Sequence, residues 1–412
     1  MLFDIIVFLV VASFLSEVFL EYLNSTVRSK ELPDELSDIY DQDKYKKSVE
    51  YDKTKQRFFL VRSFYSTVLI LAMLFFGGFA LVDNIAWNIS GNPVVAALVF
   101  FGIIMFAADI LNIPFDWYGT FTIEERFGFN KSTPKIFISD KLKSWLLGII
   151  IGGGLLALVT WFYYLTTVWF WIYALILFTA FMIFMNLFYS TLIVPLFNKQ
   201  TPLEEGELKE SITSISEKTG FRLDDVFVID GSKRSSKANA YFAGLGKKRR
   251  IVLFDTLIND LSVKEIVAVL AHEIGHFKRR HILTGMAISI VTTAITLYIL
   301  SVIIASPRLS DALGAAEPSF HIGLVAFGIL YTPVSAIFGI AGNWLSRRNE
   351  FEADRFAAQH YPAKYLAEAL KKLSVKNLSN LRPHPVYVFV NYSHPPLLAR
   401  LDALKKKGEN ND

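Results

Sequence analysis

Cysteine is absent from the 412 residues. That excludes a disulfide framework and any thiolate-bound metal, without fixing the compartment. Charge is also scarce: Asp, Glu, Lys and Arg make up 19% of the chain, against about 25% in ordinary soluble domains. The formal net charge of +4 is too small to argue for nucleic acid as a partner. There is no internal repeat and no low-complexity stretch, so a solenoid is excluded. Hydrocarbon takes the place of charge. Hydrophobic residues make up 53% of the chain, with 36 Phe, and they gather in long runs. The partner they imply is a lipid bilayer.

A helix crosses a bilayer in about 20 apolar residues. Seven runs meet that length, at 2–22, 58–82, 94–117, 145–168, 169–197, 282–304 and 322–344. The fourth and fifth abut, which requires a very tight turn near 166–169. The first run has the position of a secretory signal. It lacks a basic leading region and a small-residue cleavage site, and it carries Glu17 and Glu21, so it reads as a span. Lys and Arg fall almost wholly in alternate connections: eight between spans one and two, five between three and four, fifteen between five and six, and twelve after seven. Only Arg62 and Arg308 lie elsewhere. Basic residues stay on the cytoplasmic side, which places the N-terminus outside and every large polar segment inside.

Two inner segments are long enough to fold. In 198–281, the stretch 205–219 reads as helix, 225–230 and 250–255 as short strands with a turn at 247–250, and 261–280 as an amphipathic helix. Ser262 and Glu265 have the spacing of a capping box at its start. The second segment, 345–412, ends in a polar tail from about Lys405.

The 261–280 helix contains His272-Glu273-Ile274-Gly275-His276. Side chains four apart share a helical face, so both imidazoles reach one ion. Glu273 projects beside them, where a carboxylate takes a proton from a water at the metal's open position. A catalytic zinc takes three protein ligands. His281 does not complete the set, because the extended HExxHxxGxxH spacing would need Gly and His where Arg279 and Ile282 stand. Glu350 and Asp354, four apart in SRRNEFEAD at 346–354, are better placed: one carboxylate binds the ion and the other orients a ligand histidine. Glu352 points about 160° away from Glu350 on the helical period. A further element is NYSHPP at 391–396, followed by Arg400, where the stiff turn holds His394 as a hydrogen-bond donor. Asn239, in the polar run between the two strands, is a weaker candidate.

Here the chain resembles the CAAX prenyl protease 1 family, seven-span integral-membrane zinc endopeptidases. Besides HExxH, the resemblance is carried by IEERFGFNK at 123–131, PLFNK at 195–199 running into PLEEG at 202–206, and GSKRSS at 231–236. It continues through NAYF at 239–242 and IVLFDTL at 251–257 to SRRNEFEAD at 346–354 and YSHPP at 392–396. It covers nearly the whole chain in order. It implies a mostly α membrane protein with seven transmembrane helices in a barrel around a large chamber. An α+β zinc metalloprotease domain caps the cytoplasmic side.

The implied organisation is spans one to five in 1–197, the first half of the protease domain in 198–281, spans six and seven in 282–344, and the second half with the tail in 345–412. The implied ligands of one zinc ion are His272, His276 and Glu350, with Glu273 as general base and Asp354 as the outer partner of a ligand. Asn239, His394 and Arg400 match positions facing the substrate or its developing oxyanion. Intramembrane Glu17, Arg62 and Asp109 are expected to face chamber water or to pair between helices.

The family's best-known substrates are prenylated proteins ending in a CAAX sequence, which lose their last three residues. Modest loops and a tail without a retrieval signal also suit a bacterial inner membrane, where the substrate would be a membrane protein under quality control; otherwise the endoplasmic reticulum is implied. A four-span heat-shock-type protease has too few spans. A transporter with structural zinc has no need of Glu273. Lys264, Glu265 and the basic run 278–280 place the motif at the inner interface, outside the bilayer.

Overall fold

A 20-residue apolar stretch in lipid can satisfy its own peptide groups only as a helix, and the computed structural model, which describes residues 1–28, 31–33, 36–37, 39–223, 225–243 and 250–408, is built on that constraint. Among the described residues, six helices are long and apolar enough to cross a membrane: Leu2–Thr26, Gln42–Phe75, Pro93–Phe127, Pro134–Thr166, Phe170–Phe197 and His281–Ile303. A seventh crossing is made by Phe320–Leu330 and Thr332–His360, bent by 56°. The break falls where Pro333 enters the second helix, since proline has no amide hydrogen to give the preceding turn. The sequence predicts a span over 322–344 there, without the bend.

The crossings pack in sequence and the last returns to the first, closing a ring. The short Gly78–Ile89 helix bridges the second and third. In none of the six long spans is more than 17% of the apolar window buried, so both faces of the ring's wall are accessible. A hollow ring has that property and a tightly packed bundle does not.

Several boundaries differ from the sequence expectation: the third span runs on to Phe127, the fourth starts at Pro134 and the seventh continues to His360. The second span starts at Gln42 and ends at Phe75. Its 34 residues rise about 51 Å, well beyond a hydrocarbon core of about 30 Å, so its first turns stand clear of the bilayer. Gly77, at φ +66°, then reverses the chain. The expected turn between spans four and five is present, with Thr167 at φ +46°. That region is costly for a β-branched residue, and two hydrophobic spans sharing so short a connection impose it.

Arg62 and Asp109 pair between helices. Arg62 Nη2 lies 3.1 Å from Asp116, and Lys141 Nζ bridges Asp116 and Asp109 at 2.8 Å each. Trp145 Nε1 donates to Asp109 at 2.8 Å. Glu17 instead lines a cavity and accepts from Ser63 at 2.5 Å. At the other end of the ring the buried His321 and Asp83 meet at 2.6 Å, tying helix Phe320–Leu330 to helix Gly78–Ile89.

The polar segments form a four-stranded sheet packed by helices. Its strands are β1 (Gln200–Pro202), β2 (Asp225–Ile229), β3 (Ala240–Ala243) and β4 (Arg250–Phe254), in the order β1-β2-β4-β3. β2 and β4 are parallel and both edges antiparallel. The expected strands are β2 and β4; the edges β1 and β3 are additional. Most of the expected 247–250 turn lies outside the described residues. Helices Glu207–Lys218 and Val263–Lys278 match their predicted positions. Ile212, Leu257, Ile266 and Leu270 share one core with Ala369 from the C-terminal segment. Ala271 and Ile274 share another with Phe356, Leu366 and Leu404. The final helix, Leu397–Gly408, continues past the point where a tail is expected; residues 409–412 lie outside the described residues.

Candidate metal centre

Helix Val263–Lys278 is fixed at its start by a reciprocal capping box: Ser262 caps the Glu265 amide, and Glu265 returns to the Ser262 amide at 2.7 Å. Lys372 Nζ, 2.6 Å from Glu265, ties that first turn to helix Ala363–Lys376. Farther along, the helix crosses Thr332–His360 at very short range. A Cβ on Gly275 would lie 3.1 Å from both Cα and O of Ala353 and from Cβ of Phe356. Glycine and alanine at the crossing let the two backbones approach, and the side chains one turn to either side meet.

His272, His276 and Glu350 meet there, each offering a ligand atom, all within 4.8 Å of one another. The two Nε2 atoms are 3.1 Å apart. Glu350 Oε2 lies 3.5 Å from His272 Nε2, and Oε1 3.3 Å from His276 Nε2. Two imidazole nitrogens pointing at each other and at a carboxylate suit a shared cation better than a hydrogen bond. Glu350 Oε2 is moreover buried without a well-directed hydrogen bond, a costly arrangement unless something else binds it. Three carboxylates, Glu273, Glu350 and Asp354, gather around one guanidinium, Arg400. The excess negative charge is what a divalent ion balances. The residues therefore fit zinc in both donor type and charge.

Each histidine is held through its other nitrogen. His272 Nδ1 is 2.8 Å from Oδ1 of Asp354, the residue offered by the sequence as the outer partner of a ligand. His276 Nδ1 is 3.0 Å from Nδ1 of His281, whose Nε2 reaches Glu352 at 3.3 Å. Reading the sequence sets His281 aside as a ligand and does not find it, or Glu352, as an orienting group. No spacing rule could have revealed the pair: Arg280, at φ +60°, starts a new helix at His281 and swings that ring back over His276.

Arg400 is buried at 8% exposure. Its Nε and Nη2 donate to the two oxygens of Asp354 at 2.9 and 2.6 Å, and Nη1 stands 3.2 Å from Glu350 Oε2. It lies behind the ligands and also contributes to the wall of the adjoining cavity. His394 is well exposed toward that cavity, with Nε2 3.3 Å from Glu350 Oε1. Asn239 enters β3; its Oδ1 accepts from the Ala240 amide at 2.9 Å and its carbonyl from Phe254. None of these hydrogen bonds joins it to the histidine helix. Glu273 is partly exposed beside the cluster. Burial raises its carboxyl above the usual range, opposed by His272 and His276, which suits a group that must accept a proton near neutrality.

An HExxH helix completed by a glutamate from a membrane-crossing helix, at one end of a hollow helical ring, defines a membrane-embedded metallopeptidase. Two family models together match almost the full chain: CAAX prenyl protease N-terminal, five membrane helices, over residues 22–199, and Peptidase family M48 over 202–407. The chain is 35% identical to CAAX prenyl protease 1 of Saccharomyces cerevisiae, over 96% of this chain and 93% of that one. It is 32% identical to the human CAAX prenyl protease 1 homolog, over 91% and 88%. The crystal structure of S. mikatae Ste24p superposes with a TM-score of 0.93 at 34% identity, covering 98% of this chain and 99% of that one. The chain belongs to the CAAX prenyl protease 1 family of M48 peptidases. M48 metalloproteases depend on zinc, and the His272–His276–Glu350 group is where this chain can hold a metal.

Gly275→Ala forces the two ligand helices apart, a cost of about 1–3 kcal/mol. Metal content and thermal midpoint in detergent should both fall. Gly285→Ala, where a Cβ meets nothing within 4 Å, should change neither. Full metal occupancy and an unshifted midpoint in Gly275→Ala would show that the crossing has slack.

Proposed function

We propose that the protein binds one zinc ion through His272, His276 and Glu350 and hydrolyses peptide bonds with Glu273 as general base. The convergence of those three ligand atoms within 4.8 Å, with Glu273 beside them, carries this reading. A zinc ion bound there supplies Lewis acidity toward a peptide carbonyl and a water molecule. The chain's own groups do the remainder. Glu273 takes the proton of the attacking water and delivers it to the leaving amine. Asp354 and His281 hold the two imidazoles in their ligand tautomers. Arg400 keeps Asp354 and Glu350 ionised and in place. His394 donates toward the oxygen that gains charge, and Asn239 aligns the substrate main chain.

The substrate we propose is a prenylated protein or peptide ending in CAAX, cut so that its last three residues leave. The names of the relatives support this, and a cavity of about 830 Å³ beside His394 and Arg400 offers room for a peptide. We further propose that 198–281 and 345–408 together form the catalytic unit, on the cytoplasmic side, as the distribution of Lys and Arg indicates.

Three measurements decide these points. Glu273→Gln should retain its zinc and lose about 10³-fold in kcat, whereas Glu350→Ala should lose the metal itself; hydrolysis by Glu273→Gln at the parental rate would remove the general base. A farnesylated CAAX peptide should be cleaved far better than its unprenylated twin, and equal rates would make the enzyme a general membrane protease. The cysteine-free chain also allows single-cysteine labelling: Glu317→Cys should react with an impermeant maleimide from outside and Lys233→Cys only after permeabilisation. The reverse pattern would invert the topology.

A further inference from the structure

The cavity next to the metal centre has a polar wall whose charges are unevenly spent. Among the described residues, three cations besides Lys55 lie in its wall or pair with a residue of it, and each is bound by a carboxylate. Arg400 is bound by Asp354 and Glu350. Lys237 donates to Glu124 at 2.8 Å and to the Tyr51 hydroxyl at 2.9 Å. Arg28, outside the lining, is taken by the lining residue Asp52 at 2.6 Å. Lys55 differs. Its ammonium stands 5.3 Å above the Tyr51 ring, and among the described residues no carboxylate pairs with it. It lies one helical turn after Tyr51, on the face that lines the cavity.

The remaining charges in the wall are Glu17 and Glu21, which accept hydrogen bonds from Ser63 and Tyr387 and repel an anion. Away from the metal centre and His394, an anionic group entering this cavity is therefore attracted, among the described residues, by Lys55. A cut that releases the last three residues of a chain brings such a group with it: the free C-terminal α-carboxylate, on the leaving side of the scissile bond and about 10 Å or less beyond it for three extended residues. We propose that Lys55 is the residue that reads the substrate's terminal carboxylate. The Tyr51 ring holds the ammonium in the cavity by cation–π attraction, while the Tyr51 hydroxyl stays committed to Glu124 and Lys237.

The inference rests on the proposed CAAX-type cleavage, and the test separates the two. A farnesylated CAAX peptide is compared with the same peptide carrying a C-terminal amide, in the full-length zinc enzyme and in Lys55→Met, Lys55→Arg and Lys237→Met. The carboxylate is remote from the reacting bond, so its contact is made equally in the ground and transition states and should appear in KM. The parental enzyme should prefer the acid about tenfold in kcat/KM, as expected for one charge-assisted contact. Lys55→Met should raise KM for the acid about tenfold, leave kcat within about twofold, and leave the amide peptide untouched. Lys55→Arg should keep the preference.

Equilibrium binding of both peptides to Glu273→Gln should give the same ratio without turnover. An undiminished preference in Lys55→Met overturns the assignment, as does loss of the preference in Lys237→Met instead. So does equal cleavage of acid and amide by the parental enzyme, which leaves the proposed activity standing. Failure of the parental enzyme to cut the farnesylated acid overturns both.

Discussion

The contact between Gly275 and Ala353 sets the distance on which the metal centre depends. Imidazoles on one helix and a carboxylate on another share an ion only if the two backbones come within range of their short side chains, and a single Cβ at the crossing would already be too close to its neighbours. Tight packing fixes position but not orientation, and orientation is added from outside the crossing. Asp354 and His281 hold the imidazoles, and Arg400 clamps Asp354 against Glu350. A buried guanidinium is tolerable here because two carboxylates surround it; without it they would repel each other and Glu273.

One of the two helices that meet there is itself part of a membrane crossing, and the other leads directly into one. Thr332–His360 is one uninterrupted helix that begins at the proline bend and carries Glu350 and Asp354 in its later turns. The HExxH helix ends at Lys278, and His281, which orients His276, is the first residue of the next span. The metal centre is therefore built on extensions of two spans. The cavity beside it opens toward the long second helix, where Tyr51 and Lys55 stand beyond the part of that helix that lipid requires.

Lipid accounts for the ring's other features. Peptide groups in hydrocarbon must be satisfied within the helix, and charged side chains there need partners. Lys141 bridges two aspartates, one of which also faces Arg62. Glu17 points into the cavity. The ring buries little of its wall because it encloses space, so its stability comes from contacts between neighbouring spans and from pins such as His321–Asp83.

The seven crossings, the two central strands, the capped histidine helix, and the pairing of His272 and His276 with Glu273 are all legible in the sequence. Each is a local, periodic property: apolar length, alternation of basic loops, and a four-residue spacing on one helical face. Glu350 and Asp354 are legible as a pair sharing a face, and the family resemblance implies a different role for each. What the sequence could not give was set by contacts between segments far apart in the chain. The edge strands β1 and β3 are three and four residues long and exist because β2 and β4 offer them hydrogen bonds. The reach of His281 and Glu352 to His276 depends on one left-handed residue, Arg280. Arg400 lies behind the ligands because Asp354 and Glu350 converge on it from another helix. Spacing along a chain determines which side chains share a face; which faces then meet is decided only by packing.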